Sequence, residues 1–291
     1  MFSGSIVALI TPMSSAGEVD FTALDGLIDR HIEAGTHGIV PVGTTGESAT
    51  LGVDEHLSVI GHVIKRVDGR VPVIAGTGAN ATAEAIELTR EAKARGADGC
   101  LLVTPYYNKP TQEGLFRHYV AIAESVDVPQ LLYNVPGRTG CDMLPETIAR
   151  LASIPQIVGV KEASGDVSRV SAIRGASPED FAILSGEDAC TCEMLKLGAR
   201  GVISVTANVA PALMSRFCTA FLEGDLEEAE SIDARLQPLH AMLFVESNPI
   251  PVKWALHQLG LVDVGIRLPL TPLSEEHRAP LAKLLKELDL D

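Results

Sequence analysis

The sequence has few cationic side chains: 23 Lys and Arg stand against 38 Asp and Glu among 291 residues, a formal net charge of −15. Binding to a phosphate backbone depends on clustered Lys and Arg, so we expect neither nucleic acid nor an anionic membrane as a partner. A small anionic substrate is still compatible with this charge, because salt screens the overall field beyond about 8 to 10 Å. A site for such a substrate must supply its own cations.

Cysteine and long hydrophobic runs are also scarce. The five cysteines are odd in number and scattered, which argues against a disulfide framework and favours the reducing cytoplasm. Cys190 and Cys192 form a C-x-C pair without the four ligands of a structural zinc site, so we interpret them as small buried hydrophobes and expect no metal. The apolar run within residues 1–10 is far shorter than the roughly 20 residues of a membrane span and lacks a basic flank. We therefore expect neither secretion nor membrane insertion.

What the chain does contain is a regular alternation of two patterns. Short β-branched or Leu-rich runs alternate with segments of helical period, which is typical of parallel βα units. The 46% hydrophobic content is enough for one large core, and barrels of about 250 residues form single domains. The predicted fold is an α/β (β/α)8 TIM barrel. Its eight strands are predicted at residues 6–10, 38–42, 71–75, 99–103, 130–134, 157–161, 181–185 and 201–205.

The strand pattern stops after about residue 205, and the rest of the chain is predicted to be helical. Helices are expected at 211–223, 226–244, 251–259 and 274–288, in addition to earlier ones such as 20–33, 82–95 and 145–152. No low-complexity linker separates the last helices from the barrel. We therefore predict a barrel over residues 1–225 and a C-terminal helical extension over residues 226–291, packed on the barrel.

Polar residues follow several predicted strands, where a parallel barrel has its active site. Lys161 is the most informative of them, because it leaves the apolar strand 157–161 and its direction depends on strand parity. Burial favours the neutral amine, which is the form that attacks a carbonyl. The alternative is a lysine that extends from the strand end to water.

Residues at two further strand exits, those of strands two and five, could complete a site around Lys161. Tyr133 ends strand five with a phenol that can transfer a proton, unless it is only a packed aromatic. Thr44 and Thr45, between Gly43 and Gly46, could bind a carboxylate with hydroxyl and backbone N–H groups, or form an ordinary glycine-rich turn. Arg138 offers the planar fork suited to a second carboxylate, or is a solvated surface residue.

Together these segments resemble the dihydrodipicolinate synthase family, within the N-acetylneuraminate lyase superfamily of pyruvate-dependent class I aldolases. The likeness extends over essentially the whole chain, through residues 4–6, 43–48, 74–80, 103–107, 133–139, 160–162 and 248–254. The Gly-Thr-Thr-Gly-Glu element and the lysine of Val-Lys-Glu are superfamily-wide, whereas Tyr-Asn-Val-Pro-Gly-Arg-Thr at 133–139 is closer to the synthases. A neuraminate lyase or keto-deoxy-sugar aldolase is the alternative within the superfamily.

The resemblance implies a role for each matching residue. Lys161 would form an imine with pyruvate, and Tyr133 would transfer protons with Thr44 and with Tyr107, the tyrosine that crosses a dimer interface in this family. The substrates would be pyruvate and L-aspartate 4-semialdehyde, the assembly a homotetramer built as a dimer of dimers, and no cofactor would be needed. The residues expected to bind substrate are Thr45, Gly186, the backbone around Ile203, and Arg138, which would bind the semialdehyde carboxylate.

The resemblance also implies an effector site, though with one departure. The positions that bind inhibitory lysine in regulated bacterial members are matched by Ser48, Ala49, His56, Asn80, Glu84 and Tyr106. Those members have a histidine where this chain has Val53. We therefore predict weak or absent inhibition by lysine.

Two other classes of protein were weighed against this interpretation. Residues 76–81 read Gly-Thr-Gly-Ala-Asn-Ala, a dinucleotide-binding pattern, but Asp98 lies at the start of the next strand, not at its end where the ribose-binding acid belongs. A non-catalytic sugar or acid sensor on the same barrel is disfavoured because Lys161 and Tyr133 are both present. Lys253 lies outside the strand exits, so packing or surface solvation is expected for it.

Overall fold

The structure, a computed structural model, describes residues 2–290. Met1, the first residue of the predicted barrel range, and Asp291, the last residue of the predicted extension, lie outside the described residues. Eight parallel strands pair in the order β2-β1-β8-β7-β6-β5-β4-β3. A parallel bridge between Ile39 and Val73 joins the remaining two neighbours, β2 and β3. This confirms the predicted TIM barrel. The strands are β1 Gly4–Ala8, β2 Gly38–Val40, β3 Ile74–Gly76, β4 Gly99–Val103, β5 Gln130–Asn134, β6 Ile157–Glu162, β7 Ala182–Ser185 and β8 Gly201–Ser204.

The predicted bounds of the second and third strands were wrong, and proline explains part of each error. β2 ends before Pro41, which has no N–H to donate, and Val42 adopts a left-handed conformation with φ 47°. β3 was expected from residue 71, yet the N–H of Val73 is taken by the Asp98 carboxylate at 2.8 Å. The regular strand therefore begins only at Ile74.

Helices alternate with the strands and continue after the last one. Asp20 caps α1 by accepting hydrogen bonds from the backbone N–H groups of Thr22 and Ala23. The prediction of four helices after residue 205 is confirmed. The helices are α1 Phe21–Glu33, α2 Val53–Val67, α3 Thr82–Ala94, α4 Gln112–Ser125, α5 Pro136–Thr139, α6 Pro145–Leu151, α7 Ser168–Ala176, α8 Thr191–Lys196, α9 Pro211–Glu223, α10 Leu226–Met242, α11 Ile250–Gln258 and α12 Glu275–Glu287.

Two hydrophobic clusters fill the molecule. One lies inside the barrel and includes Ile6, Leu101 and Tyr133. The other surrounds the barrel and extends without a break into the C-terminal helices, where it includes Leu239 and Leu281. Since one core serves both parts, we propose that residues 226–291 are an extension of the barrel and not a separate domain.

Three further observations concern membrane-spanning helices, cysteines and metal-binding groups. No helix within residues 2–290 has both the length and the hydropathy needed to cross a membrane. All five cysteines are free, Cys192 is buried, and Cys190 packs against the same core. No group of three or more His, Cys, Asp or Glu side chains in residues 2–290 is arranged to hold a metal ion.

Candidate active site

Lys161 lies inside the barrel. Side chains of β6 alternate between the two faces: Val160 belongs to the outer core, while Ala163 belongs to the cluster inside the barrel. Lys161 shares the parity of Ala163 and is only 5% exposed. The alternative of a lysine extended into water is therefore wrong.

Tyr133 is the immediate neighbour of Lys161. The two residues are partners in the β5–β6 register, and the Lys161 Nζ atom lies 4.4 Å from the centre of the Tyr133 ring. The predicted nucleophile therefore packs against the ring of the predicted proton-transfer residue.

Gly186 makes room for the lysine. A Cβ atom at this position would lie 2.9 Å from the Lys161 Cε atom and 2.6 Å from the Ala163 Cβ atom. The Gly186 N–H donates to the Glu162 carbonyl at 2.8 Å, which ties the exit of β7 to that of β6. The predicted substrate-binding glycine therefore lies beside the predicted nucleophile, where a larger residue would collide with the lysine side chain.

The threonine turn, residues 43–48, follows β2. Its backbone is fixed by hydrogen bonds from the Gly46 N–H to the Gly43 carbonyl, at 3.0 Å, and from the Glu47 N–H to the Thr44 carbonyl, at 3.1 Å. Thr44 and Tyr133 line one small cavity of about 30 Å³. The turn thus brings Thr44 to the barrel mouth beside the predicted proton-transfer residue.

Asn248, for which the sequence predicted no role, connects two predicted substrate-binding residues. Its side-chain amide nitrogen donates to the Thr45 hydroxyl at 2.9 Å, and its backbone carbonyl accepts from the Arg138 guanidinium at 3.4 Å. Thr45 is buried and Arg138 is exposed at the mouth. Only the motif at residues 248–254 hinted at Asn248, because this residue comes from the C-terminal extension.

Tyr107 and Ile203 occupy opposite environments. Ile203 is fully buried inside the barrel, where it pairs with Ile6 between β8 and β1. Tyr107 is 89% exposed and has a φ of 74°, and its N–H donates to the Thr139 carbonyl at 3.2 Å. In the single chain it therefore lies outside the buried group formed by Lys161 and Tyr133.

Glu187 is an acidic group that the sequence reasoning missed. Burial raises the pKa of this carboxyl and Asp188 raises it further, while Lys161 and Arg138 lower it. Glu187 is therefore coupled electrostatically to the predicted nucleophile, Lys161, and to the predicted substrate-binding residue Arg138. Its position directly after Gly186, at the exit of β7, was the signal that could have identified it.

The predicted effector residues border a second space, the effector cavity, of about 270 Å³. Burial lowers the pKa of His56, partly offset by a hydrogen bond to the Gly76 carbonyl and by Glu84. Asn80 lies beside the cavity and donates to the Tyr106 carbonyl at 3.2 Å. Thr44 and Arg138 also line it, and since Thr44 lines the small cavity beside Tyr133 too, the two cavities adjoin. The other lining residues include Ser48, Ala49, Val53, His56, Glu84 and Tyr106.

The glycines of the dinucleotide-like pattern have a packing role. A Cβ at Gly76 would lie 2.4 Å from the Val42 carbonyl oxygen, and one at Gly78 would lie 2.3 Å from the Val103 nitrogen. Both glycines are needed because neighbouring chain segments approach closely. The pattern therefore does not indicate a nucleotide site.

Lys253 is packed and not solvated. It lies on α11, is buried, and forms an ion pair with the buried carboxylate of Glu47. Of the two outcomes expected from the sequence, packing is thus the one observed.

Comparison with known proteins gives a consistent result. A family model described as the dihydrodipicolinate synthetase family matches residues 1–288. A 4-hydroxy-tetrahydrodipicolinate synthase of Methylococcus capsulatus is 61% identical over 99% of each chain. The protein of the same name from Pseudomonas savastanoi pv. phaseolicola is 58% identical, covering 99% of this chain and 98% of that one.

Two solved structures are similar throughout. The chloride-inhibited dihydrodipicolinate synthase of Acinetobacter baumannii, complexed with pyruvate, has a TM-score of 0.98 and 55% identity over 100% of both chains. The enzyme of Cyanidioschyzon merolae with lysine bound has a TM-score of 0.97 and 42% identity, over 100% of this chain and 99% of that one. The likeness therefore includes the barrel and the C-terminal extension alike.

Proposed function

Because the chain belongs to the dihydrodipicolinate synthetase family, as its motifs predicted, we propose that it condenses pyruvate with L-aspartate 4-semialdehyde to give 4-hydroxy-tetrahydrodipicolinate. This is the first committed step of diaminopimelate and lysine biosynthesis. The observation that carries the proposal is a lysine amine held inside the barrel, against Tyr133. The names of relatives at 57–61% identity support the choice of this reaction.

Lys161 is the proposed nucleophile. Its neutral amine attacks the keto carbon of pyruvate, and the carbonyl oxygen leaves as water, so that an imine forms. Loss of a proton from the methyl carbon gives an enamine, which attacks the aldehyde carbon of the second substrate. The amino group of that substrate then adds to the imine carbon and displaces Lys161, which closes the ring.

Proton transfer in these steps is assigned to a tyrosine and its neighbours. The centre of the Tyr133 ring lies 4.4 Å from the Lys161 nitrogen, where the imine would form, and Thr44 lines the same cavity as Tyr133. We propose that Tyr107 completes the relay from a neighbouring subunit, because its side chain is exposed in the single chain. This assignment requires at least a dimer, and we propose a cytoplasmic homotetramer.

The two substrate carboxylates are assigned to different groups. Thr45 and the backbone around Ile203, with Gly186 beside the lysine, are proposed to hold the carboxylate of pyruvate. Arg138 is proposed to bind the carboxylate of the semialdehyde, because it is exposed at the mouth and charged at every physiological pH. A polyhydroxylated sugar acceptor would instead call for neutral hydrogen-bonding groups.

Borohydride reduction in the presence of pyruvate, followed by peptide mass mapping, tests the proposed nucleophile. The expected adduct is on Lys161, and an adduct on any other residue would overturn the assignment. Lys93→Met, which removes a lysine amine from the last turn of α3, is the control variant. Its adduct is expected on Lys161, as in the unmodified protein. A coupled assay that compares aspartate semialdehyde with N-acetylmannosamine then tests the reaction, and turnover of the sugar alone would favour a lyase.

A further inference from the structure

The Glu47 carboxylate, at the end of the threonine turn, is held entirely by the C-terminal part of the chain. One oxygen forms the buried ion pair with Lys253 of α11. The other accepts a hydrogen bond from the Arg267 backbone N–H at 3.1 Å. Both oxygens of a buried carboxylate are therefore satisfied by residues more than 200 positions away in sequence.

The Arg267 side chain holds the segment that follows the turn. Its guanidinium donates to both carboxylate oxygens of Glu55, at 2.6 Å each, and to the Thr50 carbonyl at 2.9 Å. It also donates to the Gly17 carbonyl at 2.8 Å. The threonine turn and the start of α2 are thus anchored to the same part of the C-terminal extension.

Glu47 transmits this anchoring to the site through its own backbone. It has a left-handed conformation, with φ 58°, which a residue with a Cβ atom adopts only where the surroundings impose it. From there its N–H donates to the Thr44 carbonyl at 3.1 Å. A shift of the carboxylate would therefore move the peptide that carries Thr44.

Stability alone is a weak explanation for this ion pair. Burying two charges costs about as much as their attraction returns, and a well-packed apolar pair is often equally stable. Burial lowers the pKa of Lys253 while Glu47 raises it, as expected for charges brought into the interior at a cost. The contacts with Lys253 and with the Arg267 N–H do fix the orientation of the Glu47 carboxylate, because each of its oxygens has its own partner.

We infer that Glu47 is a positioning residue, clamped by Lys253 and Arg267 so that the threonine turn presents Thr44 and Thr45 to pyruvate at Lys161. The inference deepens the proposed function and rests on it. Asn248, which donates to the Thr45 hydroxyl at 2.9 Å, holds the same turn from the same part of the chain. The clamp acts through the turn, on pyruvate binding by Thr45 and on the proton relay of Thr44.

The double variant Glu47→Gln/Lys253→Met tests the inference, because it removes both charges and leaves neither one buried without a partner. The fraction of Lys161 trapped by borohydride is measured against pyruvate concentration, and turnover is then expressed per trapped site. We expect the half-saturating pyruvate concentration to rise about tenfold, the effect of one hydrogen bond to a charged group, while saturating pyruvate still labels Lys161. A merely structural role would lower the folded fraction without changing that concentration.

The control pair is Asp29→Asn/Arg66→Met, an ion pair on the surface of α1 and α2, which should leave pyruvate saturation unchanged. If the Glu47 double variant does not fold, Glu55→Gln weakens the Arg267 anchor at a partly exposed position. It should raise half-saturation by about two- to threefold, in line with a part-exposed ion pair. If a variant that folds has the same half-saturating pyruvate concentration as the unmodified protein, the proposed clamp is overturned. Failure of the unmodified protein to label Lys161 overturns the proposed function instead.

Discussion

The amine of Lys161 lies 4.4 Å from the centre of the Tyr133 ring. Removing the hydroxyl of this tyrosine by mutation therefore tests its proposed role in proton transfer. Tyr133→Phe keeps the ring and its packing. We expect kcat to fall by about 10²- to 10⁴-fold, the usual contribution of general acid–base catalysis, while borohydride still traps pyruvate.

The control for this variant is Tyr119→Phe in α4. Tyr119 is fully buried, and its hydroxyl donates to the Leu102 carbonyl at 3.0 Å. It should lose about 1 kcal/mol of stability with kcat unchanged. Equal kcat values for the two variants would remove Tyr133 from the mechanism.

Gly186 provides a steric test of the lysine position. Gly186→Ala places a Cβ atom 2.9 Å from the Lys161 Cε atom, so the amine must move. A misplacement of about 1 Å can cost on the order of 10²-fold in rate, and we expect turnover to fall by at least about tenfold. Gly175→Ala in α7, where nothing lies within 4 Å of the new Cβ, should retain turnover and gain about 0.5 to 1 kcal/mol of stability. Full activity of Gly186→Ala would show that the lysine is not confined there.

Arg138 should discriminate between the two substrates. Arg138→Lys keeps the charge but removes the planar fork. We expect KM for the semialdehyde to rise by about 10- to 100-fold, from the loss of about 1.5 to 3 kcal/mol of charged hydrogen bonding, with KM for pyruvate unchanged. Arg117→Lys, on the exposed face of α4, should have no effect. Parallel changes in both KM values would contradict the assignment.

The effector cavity leads to a prediction about inhibition. Val53 lines the cavity, and its side chain is 54% exposed. Because this side chain is aliphatic, it offers lysine no polar contact. We expect weak or absent inhibition of the natural chain, and strong inhibition at low millimolar lysine or below would refute this. Val53→His should lower the half-inhibitory concentration by about fivefold, the effect of one hydrogen bond. Leu222→His, at another exposed position, should not change it.

Acid stability should depend on a buried histidine. Burial, with Arg30 nearby, lowers the pKa of His31 to about 3. The unfolded chain therefore binds a proton that the folded chain excludes, and stability falls as pH drops from about 6.5 toward about 3. At pH 4 the loss is on the order of 3 kcal/mol.

Urea denaturation at pH 7 and pH 4 tests this dependence. His31→Asn should reduce the difference between the two midpoints, because it removes the titrating ring while leaving an amide near Thr36, the present partner of His31 at 3.0 Å. His277→Gln, in the first turn of the partly exposed α12, should leave the difference unchanged. An undiminished difference in His31→Asn would contradict the prediction.

The local part of the site could be predicted from the sequence. Lys161 and Tyr133 lie near the C-terminal ends of their strands, and a barrel brings all strand exits to one face, so the alternation of strand and helix patterns was sufficient to place them together. Parity could not be fixed in advance because residues 157–160 show no alternation of polar and apolar side chains that would mark the inner face. Contacts from the C-terminal extension were not predictable either: Asn248 reaches Thr45 across 203 positions, and no local pattern encodes such a distance.

The anchoring of Glu47 by Lys253 also has a consequence for the order in which the enzyme is made. All eight strands lie before residue 205, so the barrel can begin to assemble on the ribosome. Asn248, Lys253 and Arg267 emerge after them. A nascent chain that stops before residue 248 would carry its nucleophile yet lack all three residues that orient its substrate, so activity should arise only late in synthesis.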